Sequence, residues 1–204
     1  MASLAEREIR DALVKFWHDR EPRGRVIHEL PLDGFSASGR ADLAIVFPDA
    51  IVLQEIKSER DKLTRLKKQF FAMSSRCHHW HIVCHEKWFN EDGTVKDQEW
   101  CKYSHREHFW RYPDQTAWKF DRYRDMDRYP GTFALLDYLW ADELKDIYAR
   151  HFMKIRSTGC DRWSLRGDLY NRLTGRQIVQ EVCAALRSRR FAEADDPIFE
   201  KVAA

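Results

Sequence analysis

The sequence predicts an α/β protein, and three observations carry that prediction. From Leu4 to Trp17, Ile9, Leu13, Phe16 and Trp17 recur on one stripe, the spacing of an amphipathic helix. From Gly39 to Lys57 the chain reads as two apolar strands folded back on Pro48-Asp49. From His79 to Cys84 it reads as another strand, centred on Ile82 and Val83.

In the first helix Glu6 stands three residues before Ile9 and seven before Leu13, so its carboxylate projects near the buried stripe. Glu8 points aside. An acid in a first helical turn is also favoured by the helix dipole alone. A strand follows from Arg25 to Leu30 and includes Glu29; Asp33 to Gly39 is a loop rich in Gly and Ser.

The hairpin is the most informative element. A turn centred between Pro48 and Asp49 sets Val46 opposite Ile51, Ala44 opposite Leu53, Asp42 opposite Glu55 and Arg40 opposite Lys57. Directly opposed residues hold their Cβ atoms roughly 4.5–5.5 Å apart. Two carboxylates at that distance repel unless a cation sits between them, and a hard divalent ion is the natural occupant. Glu55 and Lys57 share a face, being two residues apart on a strand. Charges in a hairpin often belong to a solvated face or guard an edge. Here Leu43, Ile45 and Phe47 make one face apolar, while Ala44, Val46, Ile51 and Leu53 make the other apolar too. Such a hairpin is buried on both sides, and charges at its end are costly and retained where they function.

Ser58 to Asp61 gives a capping-box-like start to a second helix, expected over Glu59 to Ser75. Leu63, Leu66, Phe70 and Met73 form its inward face, with Gln69 three residues beyond Leu66. Lys62, Arg65, Lys67 and Lys68 make it basic just after Lys57, which suits either phosphate contacts or a solvated face.

Asp42, followed thirteen residues later by Glu55-Ile56-Lys57, resembles the PD-(D/E)XK nuclease superfamily, with Ala41-Asp42 in place of its Pro-Asp pair. Glu29 matches an extra acid of many members, Gln69 a glutamine near the metal and phosphate, and Ala5 to Arg10 the opening of the first helix of archaeal resolvases. An uncharacterised bacterial group of the superfamily is similar in Glu55 to Ser58, Asp61 to Leu66, Gln69 and Leu139 to Leu144. The likeness covers most of residues 5–85 and, more loosely, 133–191. It implies a restriction-endonuclease-like core of helix, three-strand meander, helix and strand. It also implies metal-dependent hydrolysis of phosphodiesters, with DNA as the expected substrate and Mg²⁺ or Mn²⁺ as cofactor. Asp42, Glu55, the Ile56 carbonyl and Glu29 are then the expected metal ligands, with Glu6 as an additional acid. Lys57 and Gln69 join Asp42 and Glu55 as catalytic residues. Arg40, Arg65, Lys67 and Lys68 are the expected nucleic-acid contacts. The competing class is a catalytically inactive nucleic-acid- or protein-binding module on the same fold.

Residues 86–131 interleave aromatics (Trp88, Trp100, Tyr103, Trp110, Trp118, Tyr123) with basic residues (Lys102, Arg106, Arg111, Arg122, Arg124). The expectation is the core of an irregular subdomain, with stacking on bases as the alternative. Helices are expected at Thr132–Met153, Arg162–Leu173 and Thr174–Arg190, the last opened by a Thr174/Gln177 capping box and ended by Arg187, Arg189 and Arg190. Their short connection resembles a helix-turn-helix, though packing is the expected role. The tail from Ala192 reads as frayed. This organisation is a nuclease-like core over 1–86, an aromatic and basic insertion over 87–131 and a helical region over 132–204.

Composition sets outer bounds. Of 204 residues, 44% are hydrophobic, enough for a core. The net charge is only +2, so nucleic-acid affinity has to come from a local patch. Five cysteines, at 77, 84, 101, 160 and 183, suit reduced thiols in the cytoplasm. No apolar run nears the ~20 residues of a membrane span, so no membrane partner is expected. The Cys77, His78, His79, His81, Cys84, His85 cluster matches none of the usual zinc spacings, and zinc is not expected. The oligomeric state is open, a homodimer included.

Overall fold

The computed structural model describes residues 4–32, 39–96, 108–116, 118–121, 130–152 and 161–191. The Gly/Ser loop over 33–38, Cys101, Cys160, the aromatic and basic residues of 97–107 and 122–129, and the tail from Ala192 lie outside them.

The protein is α/β with a five-stranded mixed sheet. Helix α1 (Leu4–Arg20) leads into β1 (Arg25–Pro31), β2 (Arg40–Val46) and β3 (Ile51–Lys57). Helix α2 (Leu66–Ser74) then crosses to β4 (His79–His85), and β5 (Phe109–Tyr112) follows. The strands lie side by side in chain order, antiparallel from β1 to β3 and parallel from β3 to β5. Every residue of β3 is buried, as its near-continuous apolar run requires of a strand covered on both faces.

Alternation along the strands divides the interior in two. Leu43, Ile45, Val52, Val83 and Trp110 face α1, where they pack on Ile9, Leu13 and Trp17. Ala44, Val46, Leu53 and Ile82 face the other way, onto Leu66, Phe70 and Met73 of α2 and the C-terminal helices. Those helices are α3 (Thr132–Leu135), α4 (Ala141–Phe152), α5 (Arg162–Arg172) and α6 (Gly175–Ser188). Among the described residues no helix is long and apolar enough to cross a membrane.

Several elements differ from the sequence expectation. The second helix begins at Leu66, after a 3-10 turn over Leu63–Arg65, rather than at Glu59. The Ser58 N–H and hydroxyl both donate to Asp61 Oδ2 (2.7 and 2.5 Å), so that pair closes a turn ahead of the helix instead of capping it. The expected helix over Thr132–Met153 is broken by a 3-10 turn at Leu136–Tyr138 and an extended Leu139. Asp137 accounts for the break: its buried carboxylate takes Arg76 (3.4 Å) and Arg166 (2.6 Å), while Glu143 Oε2 accepts from the Trp140 N–H to start a new helix. Strand β5 lies within the aromatic and basic segment, where no strand was expected. The Thr174/Gln177 capping box is present. The terminal arginines of α6 work internally: Arg187 donates to the Arg23 and Val46 carbonyls, and Arg189 pairs with Glu143 and donates to the Tyr138 carbonyl.

Candidate active site

The Phe47 N–H donates to the Ala50 carbonyl (2.8 Å), closing the turn around Pro48 and Asp49 as the sequence demands. The register then runs Val46↔Ile51, Ala44↔Leu53 and Leu43↔Gln54. Beyond it, Asp42 Oδ2 accepts from the Ile56 N–H at 2.6 Å, which ties the carboxylate to the end of β3. Asp42, Glu55, Ile56, Lys57 and Gln69 line one cleft of about 1030 Å³, joined by Glu6, Arg10 and Glu29.

Glu55 is 2% exposed and Lys57 4% exposed. Lys57 Nζ lies 2.6 Å from Glu55 Oε1, and Gln69 Nε2 donates to the same oxygen. The other oxygen, Glu55 Oε2, is buried with no hydrogen-bond partner among the described residues. Burial pushes the Glu55 carboxyl up, against the pull of Lys57. Asp42 is held well above the carboxylate range, first by burial and then by the Glu55 charge.

A second set of acids adjoins this pair. Oxygens of Glu6, Glu29 and Asp42 all lie within 4.8 Å of one another. Arg10 Nη2 bridges Glu6 (2.8 Å) and Glu29 (2.6 Å), and Arg10 Nη1 donates to the Asp42 carbonyl at 3.3 Å. Glu29 adopts φ 55°, and the β1–β2 ladder skips it between His28↔Leu43 and Leu30↔Ala41. A glutamate in the left-handed region is strained, and such residues persist where surrounding contacts hold them. Here Arg10 and Arg40 do so, the Arg40 Nε lying 2.5 Å from Glu29 Oε2.

The expected placement of Arg40 opposite Lys57 is therefore corrected. Arg40 pairs across to Pro31 on β1 and its guanidinium serves Glu29, because β2 leaves β3 before the register reaches it. Arg65 and Lys68 line the cleft, and Lys67 is exposed outside it. Trp110 and Trp118 are buried against α1, so they are core residues and not a stacking surface. In the His/Cys cluster, His79 Nε2 lies 3.1 Å from His81 Nε2, and the Cys77 thiol donates to the Met73 carbonyl. Arg10 was not singled out from the sequence. Its signal was a charge on the apolar stripe, three residues before Leu13 and seven before Trp17.

The raised carboxyls have a stability consequence. A carboxyl whose folded pKa lies above its unfolded value stabilises the fold fully below the ordinary carboxylate range, about pH 4, and that stability is lost as pH rises through the folded value. Burial acts oppositely on histidines: it lowers His81 strongly and His78 to about 4, so their contribution grows as pH rises through the ordinary histidine range. The difference between two proteins isolates the acids. Urea midpoints in EDTA, from about pH 5 to about pH 8, should show Asp42→Asn gaining on the wild type as pH rises. A constant difference would contradict the burial and charge argument.

Residues 1–98, fewer than half of the chain, match the family model of bacteriophage P4 protein cII. No curated protein and no solved structure matches the chain.

Proposed function

We propose that the protein hydrolyses phosphodiester bonds, in DNA before other substrates, with Mg²⁺ or Mn²⁺ as cofactor, on a PD-(D/E)XK nuclease-like core. The order helix, three antiparallel strands, helix and parallel strand supports that core. The observation that carries the reading is half-buried Asp42 beside buried Glu55, with Lys57 on one Glu55 oxygen and the other oxygen unpartnered among the described residues. Such a set is poor as pure structure, since an unsatisfied buried acceptor is costly. It fits a hard cation, which takes carboxylate and carbonyl oxygens.

Asp42, Glu55 and the Ile56 carbonyl would hold the ion, with Glu29 and Glu6 adjoining. When bound, a divalent ion would supply Lewis acidity at the phosphate and lower the pKa of the attacking water. The protein's own residues do the rest. Gln69 and Lys57 fix the orientation of Glu55. Lys57 offsets the charge that develops on the phosphate in the transition state. Arg10 holds Glu6 and Glu29 in place. Arg40, Arg65 and Lys68 on the cleft wall, with Lys67 beyond it, grip flanking phosphates.

The alternative, a catalytically inactive binding module, draws on Arg10, which already places a cation between Glu6 and Glu29. Incubation with supercoiled, linear, single-stranded and branched DNA separates the two. Cutting with Mg²⁺ or Mn²⁺ and none in EDTA is expected; DNA retained uncut under every condition would favour the module.

A further inference from the structure

We propose that the exposed aromatic face of α5 is a docking platform for a single strand of nucleic acid, an inference that rests on the nucleic-acid role above. Trp163 and Tyr170 are 52% and 47% exposed. They lie seven residues apart, two helical turns, and so share one stripe of the helix. Both rings meet Phe133 edge-on, at 5.6 Å and 81° and at 5.3 Å and 84°. Beneath them the Arg166 guanidinium sits 4.4 Å from the Phe133 centroid and 5.4 Å from that of Trp163. Arg166 is itself pinned by Asp137 at 2.6 Å. Two large aromatic side chains are thus anchored on Phe133 with about half of their surface exposed.

Gly167 lies between the two exposed rings. A Cβ added there would meet nothing within 4 Å, and the residue has no positive φ. Neither space nor backbone conformation calls for glycine, although glycine weakens a helix relative to alanine. Its bareness keeps the surface between Trp163 and Tyr170 flat.

The surrounding charge selects the occupant. Arg162 precedes Trp163, and Arg176 opens α6 next to Gly175, whose Cβ position is 3.2 Å from Thr132, the neighbour of Phe133. Both arginines are exposed, and neither has a carboxylate partner among the described residues. The one acid on the first turn, Asp161, caps the helix through the Ser164 N–H at 2.7 Å. Half-exposed rings beside exposed guanidinium groups, that of Arg162 held by the Asp137 carbonyl at 2.5 Å, match the alternating bases and phosphates of a single strand. A duplex hides its base faces.

Fluorescence anisotropy with labelled single-stranded and duplex oligonucleotides, in EDTA to prevent cutting, tests the platform. Trp163→Ala and Tyr170→Ala should each weaken single-strand binding roughly five- to a hundred-fold, with duplex affinity and salt slope little changed. Trp163→Phe should keep most of the affinity. Gly167→Ala should raise the melting temperature yet weaken single-strand binding, a combination that misfolding does not give. Replacing Arg65, Lys67 and Lys68 should instead lower the log–log salt slope by about one unit for each phosphate released. Wild-type affinity for single strands in Trp163→Ala and Tyr170→Ala would overturn the proposal. So would absence of single-strand binding by the wild type, or a loss of self-association in those variants with DNA binding unchanged. Single-strand binding that depends on Trp163 in a protein that cuts no DNA would keep the platform and sink the hydrolytic reading.

Discussion

Lys57→Ala should abolish DNA cleavage while leaving retention of DNA and of the divalent ion largely intact. Removing one preorganised group that answers transition-state charge costs on the order of 10²–10³ in rate. Lys57 is also the one cation within hydrogen-bond distance of a buried Glu55 oxygen among the described residues. Breaking a buried ion pair typically costs about 3–5 kcal/mol. The loss here should fall below that range, because Glu55, already raised by burial, can take up a proton when the lysine is gone. The variant should therefore be less stable than the wild type in EDTA and recover with Mg²⁺ or Mn²⁺. Cleavage of supercoiled plasmid, at concentrations where circular dichroism shows the variant folded, measures the effect. Normal cutting on every DNA form would remove Lys57 from the mechanism.

Trp110→Ala should act on the fold and not on nucleic-acid binding. The ring is 1% exposed and packs between Trp17, with centroids 6.2 Å apart, and Trp118, 5.5 Å apart. His81 lies against it at 3.8 Å. Truncating a buried tryptophan costs about 3–5 kcal/mol, from the apolar burial forgone and the cavity left behind. Urea denaturation should register that loss, and single-strand affinity measured well below the midpoint should be unchanged. Unaltered stability with lost single-strand binding would put the ring on the surface.

The legible parts of the fold are those whose signal is local. Strands β2 and β3 announce themselves by apolar residues on both faces, and Pro48-Asp49 sets their register, observed as far as Leu43↔Gln54. That local register was enough to bring Asp42 to the end of β3. Strand β5 had no such signal: Phe-Trp-Arg-Tyr is four residues long, and its pairing depends on β4, some twenty-five residues earlier. The break at Leu139–Trp140 carries no Gly or Pro. It comes from Asp137 reaching Arg76 and Arg166, contacts that only the packed structure assembles. Arg10 was hidden for a similar reason, since Glu6 and Glu29 meet it only when α1 lies against β1. The positive φ of Glu29 was equally unreadable, because glutamate gives no hint of it.

On the proposed function, a divalent cation joins half-buried Asp42 to buried Glu55. Titration calorimetry with Mg²⁺ and Mn²⁺, on the wild type and on Asp42→Ala, tests it most directly. The account predicts binding by the wild type that Asp42→Ala loses, in a variant that is at least as stable as the wild type in EDTA, since removing one acid relieves both burial and repulsion. Equal binding by the two proteins, or none by the wild type, would contradict it.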